Sequence, residues 1–208
     1  GGSMAIVDLT SIQKREPGAN GVAIKELTWP DGMATQFTTL LNIRGKDHLL
    51  VTDELGSGSC DDPMLPPWGS ARIFDISDEK NPKLVSKILT EANEPAHCEE
   101  AVAKWSGLIA FGVGTHYCSV DRTTDPRLLG CGFWEGGLRI FDIRNPWHPK
   151  EVAYFDTETG SVPGLPHFRP DRKEVWIATG NADATFFVLK FPAGSVVDRI
   201  LSDLPAAQ

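Results

Sequence analysis

The chain has 208 residues, of which 41% are apolar, and its formal net charge is −8. This composition is typical of a globular protein that can bury a core in one or two domains. The negative charge gives no electrostatic basis for binding nucleic acid or an anionic membrane surface. No apolar run approaches the roughly 18 residues of a membrane-spanning helix, and 20 Gly and 15 Pro favour many short strands joined by turns.

Twelve segments alternate in polarity or are rich in β-branched and aromatic residues, which predicts strands. In chain order they are Ala5–Thr10, Gly21–Leu27, Gln36–Ile43, His48–Asp53, Ala71–Ile76, Lys83–Ile88, His97–Lys104, Leu108–Val113, Leu138–Ile143, Lys150–Phe155, Glu174–Ala178 and Phe187–Phe191. The only predicted helix is a short one over Val196–Leu204.

These strands repeat as a unit. Three copies of an apolar segment end in Asp8, Asp75 and Asp142, at equal spacing (75 − 8 = 142 − 75 = 67), and a shortened fourth copy has Lys190 at the aspartate position. Such self-similarity is the sequence mark of a repeat architecture. We expect each aspartate to accept a backbone hydrogen bond from the turn that follows it.

Each full unit supplies four strands, so the predicted fold is all-β: a β-propeller with four-stranded antiparallel blades. The predicted divisions are the last two strands of a first blade, two whole blades, and a final partial blade with a C-terminal tail, over residues 4–27, 28–90, 91–156 and 157–208. That makes three to four blades, whereas propellers usually close with 4–8. A piece of a longer protein is the favoured explanation, a dimer the second, and a small four-bladed ring the third.

The motif residues are Ile6–Asp8, Arg72–Asp78 and Arg139–Pro146, and in them the chain resembles the LVIVD-repeat family of bacterial and archaeal β-propellers. His116–Asp121, followed by Gly136–Arg139, resembles the larger exported members. The resemblance implies a propeller, an extracellular or cell-envelope location, and a C-terminal portion of a longer protein. No export signal is recognisable, and Gly1–Gly2–Ser3 ahead of Met4 resembles a tag remnant. No particular activity is implied.

The four cysteines predict two disulfides. Cys118 and Cys131 flank a turn-rich segment, and a bond between them would close a loop of about 14 residues, which the chain-entropy model values at roughly 3 kcal/mol. Cys60 occupies the matching place in the preceding unit, which leaves Cys98 as its partner. Two disulfides indicate an oxidising compartment. The alternatives are free thiols in a cytosolic protein and a zinc site.

A binding site is predicted where the first strands of the blades line the central channel. Aligning the units places His97 with His167 and with Gln36 at one channel mouth. His116 is expected in a loop near them, and Glu99 is a neighbouring carboxylate. His97 and His167 could bind Zn, Cu or Fe, although each could instead hydrogen-bond a backbone group.

The tryptophans are expected to divide by context. Trp29 and Trp68 adjoin prolines in loops, so they are predicted to be exposed, whereas those on strands are predicted to pack.

Three function classes remain. The favoured one is an exported, non-catalytic binding or scaffold module that needs no cofactor. The second is a metal-dependent enzyme, such as an oxidase, in which His97 and His167 hold a transition metal; copper-using thiol oxidases resemble this family at the level of the fold. The third is a structural module that assembles through exposed blade edges, as a homo-oligomer or with the rest of its parent protein. Neither nucleic acid nor a membrane span is expected.

Overall fold

The computed structural model describes residues 1–56, 59–61, 68–104, 112–157, 162–179 and 185–203, and within these ranges the chain is mostly β. Its strands form four antiparallel sheets. Sheet 1 contains β1 (Gly2–Asp8) and β2 (Val22–Trp29), and sheet 2 contains β3 (Met33–Ile43), β4 (Lys46–Leu55), β5 (Ala71–Asp75) and β6 (Lys83–Ile88). Sheet 3 contains β7 (Thr115–Val120), β8 (Leu128–Phe133), β9 (Leu138–Asp142) and β10 (Lys150–Phe155), and sheet 4 contains β11 (His167–Arg169), β12 (Glu174–Ala178) and β13 (Phe186–Lys190). The prediction of an all-β fold is confirmed.

Three helices accompany the sheets in the described ranges: α1 (Thr10–Gln13), α2 (Pro95–Lys104) and α3 (Val196–Ser202). The predicted terminal helix is confirmed as α3, which Ser195 caps by accepting a hydrogen bond from the backbone N–H of Asp198 at 3.1 Å. None of the helices in the described part of the chain is long and apolar enough to span a membrane.

The sheets pack face to face in chain order. Trp29 of sheet 1 packs with Phe74 of sheet 2, and Ile73, on the other face of sheet 2, belongs to the same buried cluster as Phe141 of sheet 3. The opposite face of sheet 3 packs on sheet 4 and α3. Each inner sheet therefore buries both faces, and its middle strands are buried at nearly every position, as in β5 (ARIFD) and β8 (LLGCGF).

The register of the strands is the same from sheet to sheet. In sheets 1, 2 and 3 the strand that ends in the aspartate pairs with the strand that follows it: β1 with β2, β5 with β6 and β9 with β10. In each pair the register shifts between the first and second residues before the aspartate, which are Val7 and Ile6 in sheet 1. In sheet 4, Lys190 pairs with the first residue of β12 as Asp142 pairs with the first residue of β8. Asp8, Asp75, Asp142 and Lys190 thus hold equivalent positions.

The predicted turn contacts of these aspartates are confirmed. The backbone N–H two residues further on donates to each carboxylate, at 2.8 Å for Asp8, 2.9 Å for Asp75 and 3.1 Å for Asp142. Hydrogen bonds from Thr10 and Ser77 lower the pKa of Asp8 and Asp75. Burial raises the pKa of Asp142, but hydrogen bonds and the charge of Arg144 outweigh it, so that the net shift is also downward.

We expect replacement of Asp75 by asparagine to flatten the acid dependence of stability. A carboxyl whose folded-state pKa is depressed stabilises the fold above its unfolded pKa, near 3.8, and this contribution is lost as the pH falls through the folded-state pKa. Asparagine keeps a turn acceptor but carries no charge. Thermal unfolding at pH 7 and pH 3 should show a smaller drop in Tm for D75N than for wild type. Glu79→Gln, in the same turn, is the control, and an equal drop for D75N and wild type would contradict the prediction.

One strand prediction and one loop prediction in the third unit are wrong. Residues 95–104 form helix α2 instead of a first strand, because Pro95 stands in the first turn, where its missing N–H is no loss, and the Ala and Glu residues that follow favour helix. The first strand of sheet 3 is β7, which contains His116, so the expectation of a loop there is wrong as well. The predicted strand Leu108–Val113 lies, up to residue 111, outside the described residues.

Candidate functional site

The first strands of sheets 2, 3 and 4 lie beside one another. Strand β7 contacts β3 on one side and β11 on the other, so one edge of each sheet faces a common region. These strands contribute Gln36, His116 and His167 respectively. The structure therefore places His116 where the sequence alignment had placed His97.

His116 is the centre of this region. Its Nδ1 lies 2.7 Å from the carbonyl oxygen of Pro163 and its Nε2 lies 3.3 Å from Oε1 of Glu54. Trp134 Nε1 donates to the same Glu54 oxygen at 3.0 Å, and the His116 ring lies 4.7 Å from the ring of Trp134 and 4.0 Å from that of Tyr117. We call His116, Glu54, Trp134, Tyr117 and Gln36 the His116 cluster.

The ring of His116 is held from both nitrogens. A backbone carbonyl oxygen faces Nδ1 and a carboxylate oxygen faces Nε2, so each ring nitrogen has a protein oxygen as its partner. The side chains of His116 and Glu54 are each 16% exposed, so the pair can reach solvent or a ligand.

β-Bulges direct these side chains. In β3, Gln36 is the extra residue between Thr35 and Phe37 in the pairing with β4, and in β7 the register shifts between Thr115 and Cys118, across His116. Bulges re-aim side chains at such sites. Gln36 Nε2 donates to the backbone oxygen of His116 at 3.3 Å, which joins the two bulges directly.

Gly132 permits the contact between His116 and Pro163. It lies in β8 opposite the bulge, and a Cβ at this position would collide with the carbonyl oxygens of Val162 and Gly164. The segment from Val162 can therefore pass close to the sheet, and the backbone N–H of Val162 donates to Phe133 at 3.0 Å. The close approach requires glycine.

A buried ion network lies directly behind the cluster. Arg72 Nε donates to Asp53 Oδ2 at 2.9 Å, and its Nη1 lies 3.2 Å from Asp31 Oδ2, which also accepts from Lys87. Trp29 Nε1 donates to Asp53 at 2.6 Å, and Arg72 lies over the Trp29 ring, 5.3 Å from its centroid. Burial raises the pKa of Asp31, but the hydrogen bonds and charges of Lys87 and Arg72 lower it by more.

This network positions the His116 cluster. Asp53 precedes Glu54 in β4, and the hydroxyl of Thr115, the neighbour of His116, donates to the backbone oxygen of Asp53 at 2.9 Å. The side chains of Asp53 and Arg72 are almost fully buried, so this part of the strand pair is fixed. The sequence analysis missed the network because its members stand in four separate segments of the chain.

The other predicted site residues lie apart from the cluster. His97 and Glu99 are on α2, where His97 Nε2 is 3.6 Å from Glu91 and 3.9 Å from Glu94. His97 is therefore not equivalent to Gln36 and His167. His167 is exposed on β11, with its ring 6.3 Å from that of Trp176. Within the described ranges, no three His, Cys, Asp or Glu side chains come together as a candidate metal site.

Both predicted disulfides are confirmed. Cys60 is bonded to Cys98 and Cys118 to Cys131, with Cα–Cα distances of 5.5 and 4.1 Å. The bonds leave no free cysteine, so the free-thiol and zinc alternatives are wrong. Cys118 and Cys131 are paired directly across β7 and β8, two residues from His116, whereas the other bond ties α2 to residues 59–61.

Comparisons with known proteins give a likeness in structure but none in sequence. No protein-family model matches the chain, and no curated protein matches it significantly. A crystal structure of a Bacteroides fragilis protein, provisionally assigned as a 6-phosphogluconolactonase, aligns with 90% of this chain at a TM-score of 0.51 and 14% identity. The alignment takes in 47% of that protein, so this chain spans about half its length. The likeness concerns the fold alone.

Proposed function

We propose that this chain is part of an LVIVD-type β-propeller that acts as an exported, non-catalytic binding module, with the His116 cluster as its ligand-contacting region. Antiparallel sheets packed face to face, with first strands adjacent, are the arrangement of propeller blades. The recurring register shift and the aspartate turns support the repeat. Two disulfides support an oxidising, extracellular or cell-envelope location.

One observation carries the proposal of binding without catalysis. The polar atoms at the centre of the cluster are engaged by the protein itself, since both nitrogens of His116 face protein oxygens and Glu54 Oε1 accepts from Trp134. A metal ligand must present a ring nitrogen with a lone pair, and such a ligand donates its other nitrogen to a carbonyl or carboxylate. His116 Nε2 faces the Glu54 carboxylate, so it does not present a free lone pair to a metal. The cluster instead offers the aromatic rings of Tyr117 and Trp134 beside fixed hydrogen-bonding groups, a combination suited to recognition of a ligand.

The assignment of the Bacteroides fragilis protein does not extend to this chain. At 14% identity the likeness supports the architecture and says nothing of lactone hydrolysis, because one fold carries many unrelated activities.

Metal analysis tests the binding module against a metal-dependent enzyme. The purified protein is incubated with CuCl₂ or ZnCl₂, dialysed against a chelator, and its metal content measured by mass spectrometry. We expect less than about one ion per ten chains, and an unchanged Tm in either metal, because Nε2 of His116 is occupied by Glu54. His116→Gln and His167→Gln are compared in parallel. Stoichiometric metal in the wild type that either substitution removes would favour the enzyme instead.

A further inference from the structure

The two disulfides differ in how far the fold encloses them. Cys118 and Cys131 are 0% exposed, inside the buried cluster between sheets 2 and 3, and they pair directly across β7 and β8. Cys98 is 4% exposed, but Cys60 is partly exposed in the short stretch of residues 59–61. A reductant can therefore approach the bond between Cys60 and Cys98 without disturbing a sheet, whereas the other bond becomes accessible only when β7 and β8 separate.

Helix α2 depends on the more accessible bond for its anchorage. Among residues 96–103, whose burial the structure describes, Cys98 alone is buried, while Ala101 and Val102 are partly exposed. Among the helices and strands, α2 packs chiefly on the 3₁₀ turn Glu91–Asn93, which lies just ahead of it in the chain. An isolated helix of ten residues is only marginally stable in water. The one buried side chain of this helix segment is thus half of the disulfide.

Helix α2 also forms one wall of a cavity of about 450 Å³. His97, Glu100 and Ala101 line this cavity from the helix, and Phe133 and Arg139 line it from sheet 3. Its described lining contains no residue of the His116 cluster. The position of α2 therefore decides whether this cavity is closed on the side of the helix.

We infer that Cys60–Cys98 is a redox-sensitive bond that holds α2 in place and thereby controls the shape of this cavity. A thiolate of a dithiol reductant attacks one of the two sulfurs, which breaks the S–S bond and forms a mixed disulfide, and the displaced cysteine takes up a proton. The second thiol of the reductant then attacks the mixed disulfide, so that the reductant leaves as a disulfide and Cys60 and Cys98 are both thiols. In this state α2 loses its anchor and unfolds, while Cys118–Cys131 and the sheets stay intact. This control goes beyond the proposed binding function and does not depend on the His116 cluster.

Dithiothreitol, added to the purified chain without denaturant, tests the accessibility of the two bonds. Thiols are trapped with iodoacetamide at successive times and assigned by mass spectrometry of the peptides. We expect Cys60 and Cys98 to be labelled at least about 10-fold faster than Cys118 and Cys131, because the second pair waits for local opening of sheet 3. Oxidised dithiothreitol is the control and should lead to labelling of neither pair. Labelling of the two pairs within that factor, or faster labelling of Cys118 and Cys131, overturns the inference.

Hydrogen exchange on the same samples tests the release of α2. Once Cys60 and Cys98 are thiols, the backbone amides of residues 99–103 should exchange at least about 10-fold faster, because a helix without its anchor opens more often. The amides of β7 and β8 should keep their protection. The double variant Cys60→Ser/Cys98→Ser should show the fast exchange of α2 without any reductant. Unchanged protection of α2 in the reduced chain overturns the inference, since other contacts then hold the helix, and loss of protection throughout sheet 3 overturns it as well.

Discussion

Replacement of Asp53 by asparagine is expected to lower the free energy of unfolding by about 3–5 kcal/mol, the usual cost of breaking a buried ion pair from one side. Asp53 Oδ2 accepts from Trp29 and from Arg72, and Oδ1 accepts from Thr35 at 2.5 Å. Trp29 and Arg72 can only donate, so an asparagine must turn its amide oxygen to them and its NH₂ to the Thr35 hydroxyl, which can also accept. The loss therefore comes mainly from the missing negative charge beside Arg72. Arg72 also loses one of its two carboxylate partners while it remains buried.

Urea unfolding followed by tryptophan fluorescence measures this loss, because Trp29 belongs to the network. Asp203→Asn, on the surface after α3, is the control and should change stability by less than about 0.5 kcal/mol. In the double variant Asp53→Leu/Arg72→Met the unpaired charge is gone as well, so it should be more stable than D53N. A D53N protein within about 1 kcal/mol of wild type would show that the network contributes little.

The second large effect is expected from the bond between Cys118 and Cys131. Changing both residues to alanine should lower stability by about 2–4 kcal/mol, because the unfolded chain regains the freedom of a 14-residue loop. Both sulfurs are also fully buried in the cluster between sheets 2 and 3, so their removal leaves a small void.

Hydrogen exchange distinguishes the effects of removing each disulfide, because the two bonds lie in different parts of the fold. Loss of Cys118–Cys131 should speed exchange in β7 and β8 and disturb the His116 cluster, which lies in the same strand. Loss of Cys60–Cys98 should act first on α2, which that bond ties to residues 59–61. Unchanged protection in β7 and β8 after removal of Cys118–Cys131 would mean that strand pairing alone holds this part of the sheet.

Part of the candidate site could have been predicted from the repeat. The aspartates can be located because their strands have a period of two and a fixed spacing. The disulfides can be located because Cys118 and Cys131 flank one turn-rich segment and Cys60 occupies the matching place in the preceding unit, which leaves Cys98 as its partner. His116 was assigned to a loop because the alignment used residues 97–104 as the first strand of its unit. A Pro followed by Ala and Glu residues signals a helix there, and moving the first strand to β7 would have aligned His116 with Gln36.

The sequence by itself determined the all-β class, most strand positions, the equivalence of Asp8, Asp75 and Asp142, and both disulfides. These features follow from the alternating polarity of residues along each strand and from the repeated segments, and both can be seen in one sequence. Only the tertiary structure decided that Trp29 and Trp68, predicted to be exposed, are buried, and that Arg72, Asp53 and Asp31 share one network. The partners in that network stand 19 and 41 residues from Arg72. Burial and charge pairing between distant segments depend on how the sheets pack, and no local pattern encodes that packing.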